Sequence, residues 1–220
     1  MYHNTKIQIE EILKYLVETS LANDQQFPIM KVIGNGLREL TLNGAEHISV
    51  AMKDYDYKDI YDHLVKERAF SALLLDGALI QMMYVFDGDN IQRHRLTFFP
   101  SPYLDEFQNN PEIYMMDEVF ADVIARNLVP FPIRFDFDGR EGVHQPVEHP
   151  KSHLTLGQYE SCRIPVTAAM TPYLFINFIL RNFYNTAFKK YSENLPISNF
   201  CFQDSILEVE RDLVHISLPK

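Results

Sequence analysis

The sequence predicts an α+β fold, a largely antiparallel sheet with about four helices packed on it. Three observations carry this. Eight segments have strand composition or period-two alternation, several of them follow one another with no helix between, and four other segments repeat apolar residues at helical spacing. Strands joined without a crossover helix pair antiparallel. With 220 residues, 46% hydrophobic and 13% aromatic, the chain is long enough to bury a core without staples, and residues 1–220 are expected to form one domain.

The first helix is expected near Thr5, where Thr5 and Gln8 have capping-box spacing and Ile9, Ile12, Leu13, Leu16 and Val17 share a face. Glu46 to Met52 reads as a strand and Tyr57 to Arg68 as a short helix. Phe70 to Leu75 and Ala78 to Phe86 are strands joined at Asp76-Gly77, a tight hairpin turn, and Gln92 to Phe99 follows. Asn110 before Pro111 caps a helix whose stripe is Ile113, Met116, Phe120, Val123 and Ile124, ending near Asn127. Pro132 to Asp138, His153 to Leu156 and Cys162 to Val166 are the next strands, the first two separated by a surface loop from Gly139 to Pro150. Thr171-Pro172 opens the last helix, with Leu174, Phe175, Phe178, Ile179 and Phe183 on one face and Lys189 and Lys190 at its negative end. Ile206 to Leu218 reads as a final strand. The apolar, proline-bounded segments Phe98-Phe99-Pro100 and Leu128-Val129-Pro130-Phe131 are expected either near the surface, as an interface, or closing the core.

Thirty acidic against twenty basic side chains give a formal net charge of -10, which opposes a nucleic-acid binder held by bulk electrostatics. The acidity lies in the flanks. Residues 92–190 are nearly neutral, with 10 Lys+Arg against 11 Asp+Glu, and hold seven of the ten arginines, the side chain suited to bidentate binding of phosphate. Two cysteines, Cys162 and Cys201, are too few for a disulfide framework or a thiolate zinc site, so a cytoplasmic location is expected. No apolar run approaches the roughly 20 residues of a bilayer span, and no membrane association is expected.

In Ile133-Arg134-Phe135-Asp136-Phe137-Asp138, alternation places the three apolar residues on one face and Arg134, Asp136 and Asp138 on the other. Paired strand carboxylates suit Mg2+ or Mn2+, and His149 and His153 lie close behind in sequence. Asp136, Asp138, His153 and Thr155 are therefore catalytic candidates, with Asp136, Asp138 and His149 as the metal-ligating set. The competing reading is a solvated strand face with an Arg134 ion pair. Three His-x-Ser/Thr tripeptides, at His47, His153 and His215, resemble the strands of two-histidine phosphoesterases, which need no metal, although their unequal spacing does not suggest two equal lobes. A primase-type Asp-x-Asp followed by Ser-x-His is broken here, because Ser152 and His153 are adjacent. Arg134, Arg163 and Arg181 are candidates for phosphate or nucleic-acid contact; Arg93, Arg95 and Arg134 have strand spacing, Arg163 and Arg181 lie nearby in sequence, and pairing with nearby acids is the other use.

The segments RHRLTFFPSPYLDEFQNNPEIYMMDEVFADVIARNLVPFPIRFDFD, from Arg93 to Asp138, and HPKSHLTLGQYESCRIPVTAAMTPYLFINFILRNFY, from His149 to Tyr184, resemble the domain of unknown function 2290 family. The family-like core would then be 93–184. Within it Arg134, Asp136, Asp138, His149, Pro150, His153, Thr155, Gly157, Arg163, Pro165 and Arg181 look like family signature. The resemblance implies a bacterial context of mobile elements and antiphage defence islands, with a helicase encoded nearby as partner. It implies no established activity. The leading expectation is an accessory or effector subunit that docks a helicase through acidic flanks and works near nucleic acid; the alternative is a phosphoesterase or nuclease-like enzyme.

The net charge generates one direct expectation. The isolated chain should bind duplex DNA weakly at physiological salt, and tight binding in an anisotropy titration would contradict it.

Overall fold

A computed structural model describes residues 1–43, 55–103, 130–159, 161–197 and 200–219. The expected strand at Glu46–Met52, the expected helix from Asn110 to Asn127, and His47 lie outside these residues.

Nine described strands form one antiparallel sheet: β1 (Ala22–Gln25), β2 (Ile29–Ile33), β3 (Leu37–Thr41), β4 (Ala72–Leu74), β5 (Leu79–Asp87), β6 (Asn90–Phe99), β7 (Ile133–Asp138), β8 (Ser152–Leu156) and β9 (Ile164–Pro165). The spatial order is β1-β4-β5-β6-β7-β8-β9, with β3 joining β5 beside β4 and β2 pairing with β3. The described helices are α1 (Tyr2–Glu18), α2 (Tyr57–Lys66), α3 (Pro172–Phe183), α4 (Asn185–Tyr191) and α5 (Glu208–Arg211). The fold is α+β, as the alternation and helical stripes imply. None of these helices is long and apolar enough to cross a membrane.

Strand alternation divides the sheet into two unlike faces. Ile80, Met82, Tyr84 and Phe86 of β5, Leu96 and Phe98 of β6, Ile133, Phe135 and Phe137 of β7 and Leu154 of β8 enter the main core. Ile9, Ile12, Leu13 and Leu16 of α1 and Phe175, Ile176, Ile179 and Leu180 of α3 close that core, with Phe135 edge-on to Phe175 and Phe178. On the other face Leu79 and Phe99 meet Ile60, Tyr61 and Leu64 of α2 and Phe70 in a smaller cluster. Phe98 and Phe99, weighed as a surface patch, are thus both buried, one on each face.

Several element boundaries depart from the sequence pattern for local physical reasons. Thr5 sits inside α1, its hydroxyl donating to the Met1 carbonyl at 3.2 Å, so the helix starts before the capping-box position. The last long helix breaks at Tyr184 (φ -138, ψ 58), whose hydroxyl donates to the buried Asp76 carboxylate at 2.6 Å. Asp76 also accepts from Ala78 N–H, and Gly77, at φ 81, completes the hairpin turn where a Cβ would meet Ser101 Oγ at 3.1 Å. Ile206–Leu218 is not a strand. Buried Glu210 accepts from Leu207 N–H at 2.9 Å and closes a helical turn, leaving a single parallel bridge between Ile216 and Val166. Three strands went unread: β1 is Ala-Asn-Asp-Gln, mostly residues with weak strand propensity, and β2 (Ile-Met-Lys-Val-Ile) and β3 (Leu-Arg-Glu-Leu-Thr) are five-residue strands on either side of Gly34-Asn35-Gly36.

One backbone residue ties the α3 entrance to the sheet. The Tyr84 hydroxyl donates to the Met170 carbonyl at 3.0 Å, and Met170 N–H donates to His94 Nε2 at 2.9 Å. Desolvation by burial lowers the His94 pKa to about 4, so the ring is neutral in the folded protein. An unfolded histidine titrates near 6.5, so the unfolded state takes up the proton first as pH falls. Stability from this group is complete above about pH 6.5 and lost progressively toward pH 4, amounting to about 2 kcal/mol by pH 5. Urea midpoints at pH 7.5 and 5 should show that loss, and His94→Gln should flatten the slope. An unchanged wild-type midpoint would contradict a neutral buried His94.

Candidate functional site

The polar half of the sheet face opposite α1 and α3 is built by cross-strand register. Thr97 of β6, Arg134 of β7 and Thr155 of β8 form one row. Arg95, Asp136 and His153 form the next, continued by Pro165 of β9, and Arg93 and Asp138 form a third. Because side chains in one row share a face, residues far apart in sequence become neighbours. Arg134, Asp136, Asp138, His153 and Thr155, chosen from spacing alone, do lie on one surface.

Asp136 is the centre of this surface. Its Oδ2 accepts from Arg134 Nε at 2.5 Å and its Oδ1 from Arg95 Nε at 3.1 Å, while His153 Nε2 is 3.9 Å away. The Asp136 side chain is 14% exposed, those of Arg134 and Arg95 38% and 36%. Burial alone would raise the Asp136 pKa, but the charges of Arg134 and Arg95 outweigh it and hold the carboxyl below its ordinary range. Both Arg95 and Arg134 are engaged through Nε, and among the described residues no acceptor takes up their terminal nitrogens. Asp136 therefore fixes two forks whose outer donors meet no acceptor among those residues.

The neighbouring candidates are similarly occupied. Asp138 takes Arg140 bidentately, through Nε at 2.9 Å and Nη2 at 2.6 Å; burial raises its pKa, and the Arg140 bonds reverse the shift. His153 is buried, and its Nδ1 pairs with the Pro150 carbonyl at 2.9 Å. Desolvation lowers its pKa against the pull of Asp136. His149 Nδ1 pairs with the Val143 carbonyl at 2.9 Å, and its ring lies 5.1 Å from that of His153. As a metal-ligating set, Asp136, Asp138 and His149 fit poorly, since the carboxylate oxygens already accept from guanidiniums. Among the described residues no group of three or more His, Cys, Asp or Glu is arranged to hold a cation.

Of the other arginines, Arg163 lies immediately before β9 and contributes to the His153 environment. Arg181 is not brought to this face. It is in the last turn of α3, on the other side of the sheet, lining a cavity of about 290 Å³ with Asn177, Asn182 and Ser217. His215 lies beside Pro165 through the Val166–Ile216 bridge, about two strand spacings, roughly 10 Å, from His153, and its Nδ1 pairs with the Leu213 carbonyl.

Sequence reasoning named Arg95 beside Arg134 but missed its pairing with Asp136, and it missed Thr97 and Glu210, which have meaning only across strands or segments. Thr97 and Arg95 lie opposite Arg134 and Asp136, and the β6–β7 pairing is the signal that finds both relations. Glu210, fully buried, also accepts from His144 Nε2 at 3.2 Å and Val147 N–H at 3.4 Å, anchoring the Gly139–Pro150 loop. It holds Val147 at φ 70, a backbone state unfavourable for a β-branched residue.

The two ion-pair systems should differ in stability. Asp136→Ala leaves two facing guanidiniums without their shared acceptor and should lower stability by about 2 kcal/mol, less than a fully buried pair because the arginines reach solvent. Asp138→Ala, facing the exposed Arg140, should cost under about 1 kcal/mol. Urea unfolding of both variants checks the contrast, and equal losses would contradict it.

A family profile described as "Uncharacterized conserved protein (DUF2290)" matches residues 21–218. Comparison with curated proteins and with solved structures finds no match. The profile match spans every described strand, and the chain belongs to this family.

Proposed function

Starting from membership of that family, we propose that the protein is a binding subunit, not a catalyst, of a bacterial helicase-associated antiphage defence system in the cytoplasm. Its contribution is an oxyanion-binding sheet face, and its acidic flanks dock the partner. The observation that supports this best is Asp136 braced between Arg95 Nε and Arg134 Nε, with no acceptor for the terminal guanidinium nitrogens among the described residues. A general base works best with a pKa near the operating pH, and Asp136 is displaced away from it. A cation-binding carboxylate needs open oxygens, and both of these are taken. What remains is recognition of an anion by two oriented forks. The defence and helicase context rests on the resemblance of Arg93–Asp138 and His149–Tyr184.

Phage challenge of cells carrying the chain and its neighbouring helicase separates binding from catalysis. Arg95→Lys with Arg134→Lys keeps the charges and loses the forks; protection should fall at least tenfold with an unchanged melting temperature. His153→Gln should retain protection. Lost protection in a folded His153→Gln protein, with the double lysine variant protecting normally, would favour the phosphoesterase reading and overturn this one. The tagged chain should also co-purify with the helicase, and a chain that protects without capturing it would refute the docking role.

A further inference from the structure

We propose that this face holds two successive phosphates of a nucleic-acid backbone, one at the Arg95 and Arg134 guanidiniums and the next at Arg93, Arg140 and Lys151; the inference rests on the oxyanion reading above. The second point, and the pitch between the two, select the ligand.

On β7, Asp138 lies two residues beyond Asp136 on the same face, and each carboxylate gathers guanidiniums. Asp138 takes Arg140 through Nε and Nη2, and Arg93 stands opposite it on β6, its charge also favouring the ionised carboxyl. Lys151 joins this group from the β8 side. The Asp138 N–H donates to the Lys151 carbonyl at 2.8 Å, and alternation puts Lys151 on the side of His153, with Leu154 turned to the core. Five cationic side chains, Arg93, Arg95, Arg134, Arg140 and Lys151, thus share the face with two carboxylates, while His153, its pKa lowered by burial, is neutral at pH 7. The face is locally positive on an acidic chain.

The cations are the accessible part of both groups. The Arg95, Arg134 and Arg140 side chains are 36%, 38% and 53% exposed, against 14% and 18% for Asp136 and Asp138. A ligand arriving from solvent meets guanidiniums that the aspartates have already oriented.

Residues on one face of a strand are two apart, so the Asp136 and Asp138 groups lie about 7 Å from one another along β7. That is the length of one nucleotide in an extended backbone, where a sugar and its flanking bonds separate two phosphates. A diphosphate is too short, because its two phosphorus atoms share an oxygen. An acidic peptide matches this pitch only when extended, and a sheet binds an extended peptide at a free strand edge. The strands β6, β7 and β8 each pair on both sides, so this face has no such edge. A nucleic-acid backbone needs none, since its charge repeat is built into every residue. Phosphate contacts carry no sequence information, so the site is indifferent to base, and two contacts on an acidic chain bind weakly at physiological salt.

Fluorescence anisotropy of the full chain with labelled dT12, across a series of low salt concentrations, counts the phosphates. A single strand loses affinity with a logarithmic salt slope of about -0.7 per phosphate neutralised, so two contacts should give about -1.4. Arg93→Gln with Lys151→Gln, which leaves the Asp136 brace and the Asp138–Arg140 pair intact, should bring the slope to about -0.7 with an unchanged melting temperature. As competitor, dTpdTpdT, with two phosphates, should displace dT12 about fivefold better than dTpdT, with one. Equal competition by dTpdT and dTpdTpdT, or an unchanged slope in the variant, would overturn the two-phosphate inference while leaving the oxyanion face standing. Displacement by a Glu-Gly-Glu-Gly-Glu peptide as strong as by dTpdTpdT would overturn it in favour of an acidic peptide. Failure of dT12, dTpdTpdT and inorganic phosphate alike would overturn both readings.

Discussion

The in-register antiparallel pairing of β6, β7 and β8 is the constraint from which both the core and the site follow. In β7 the pleat sends Phe135 to α3 and Asp136 to the opposite face, one residue apart. A slip of one residue would place a carboxylate under Phe175 and aromatic rings among arginines. Hydrophobic burial on one face thereby fixes which charged side chains meet on the other. The Arg95–Asp136–Arg134 brace needs no separate device to position it, because the register that buries Leu96, Phe135 and Leu154 already has.

Buried polar contacts then attach the layers to this sheet. Met170 is held by both Tyr84 and His94, which sets where α3 starts, and Tyr184 reaches Asp76, which sets where it breaks. Glu210 does the same for the loop before β8, collecting Leu207, His144 and Val147. Each contact joins segments more than sixty residues apart or closes a turn. They use groups that are expensive to bury unpaired, so they favour one arrangement of the layers over near alternatives. The structural consequence is a scaffold of paired polar groups beneath the arginine face, which the proposed anion recognition would require.

The chemistry of that face turns on who is paired with whom. Two aspartates at strand spacing have the composition of a metal site, but composition is silent about Arg95, which comes from another strand and occupies Asp136. His153 has the composition of an acid–base catalyst, and burial together with the Pro150 carbonyl gives it a structural environment. Arg181, grouped with Arg134 by residue type, is separated from it by the thickness of the sheet.

Sequence alone determined the elements whose pattern is local and strong. The apolar stripe of Ile9 to Leu16, the Thr171-Pro172 helix start, the Asp76-Gly77 turn and the alternation of Ile133 to Asp138 are each legible within a dozen residues, because periodicity and turn chemistry are short-range. The α+β class and the facing of Arg134, Asp136 and Asp138 away from the core follow from them. Tertiary structure alone decided the rest. The break at Tyr184 depends on Asp76, the helical turn at Leu207 on Glu210, and the state of Asp136 on Arg95, partners that sequence distance conceals. Thr97 and Thr155 become neighbours of Arg134 only when strands align, since cross-strand neighbours are set by register and not by position along the chain.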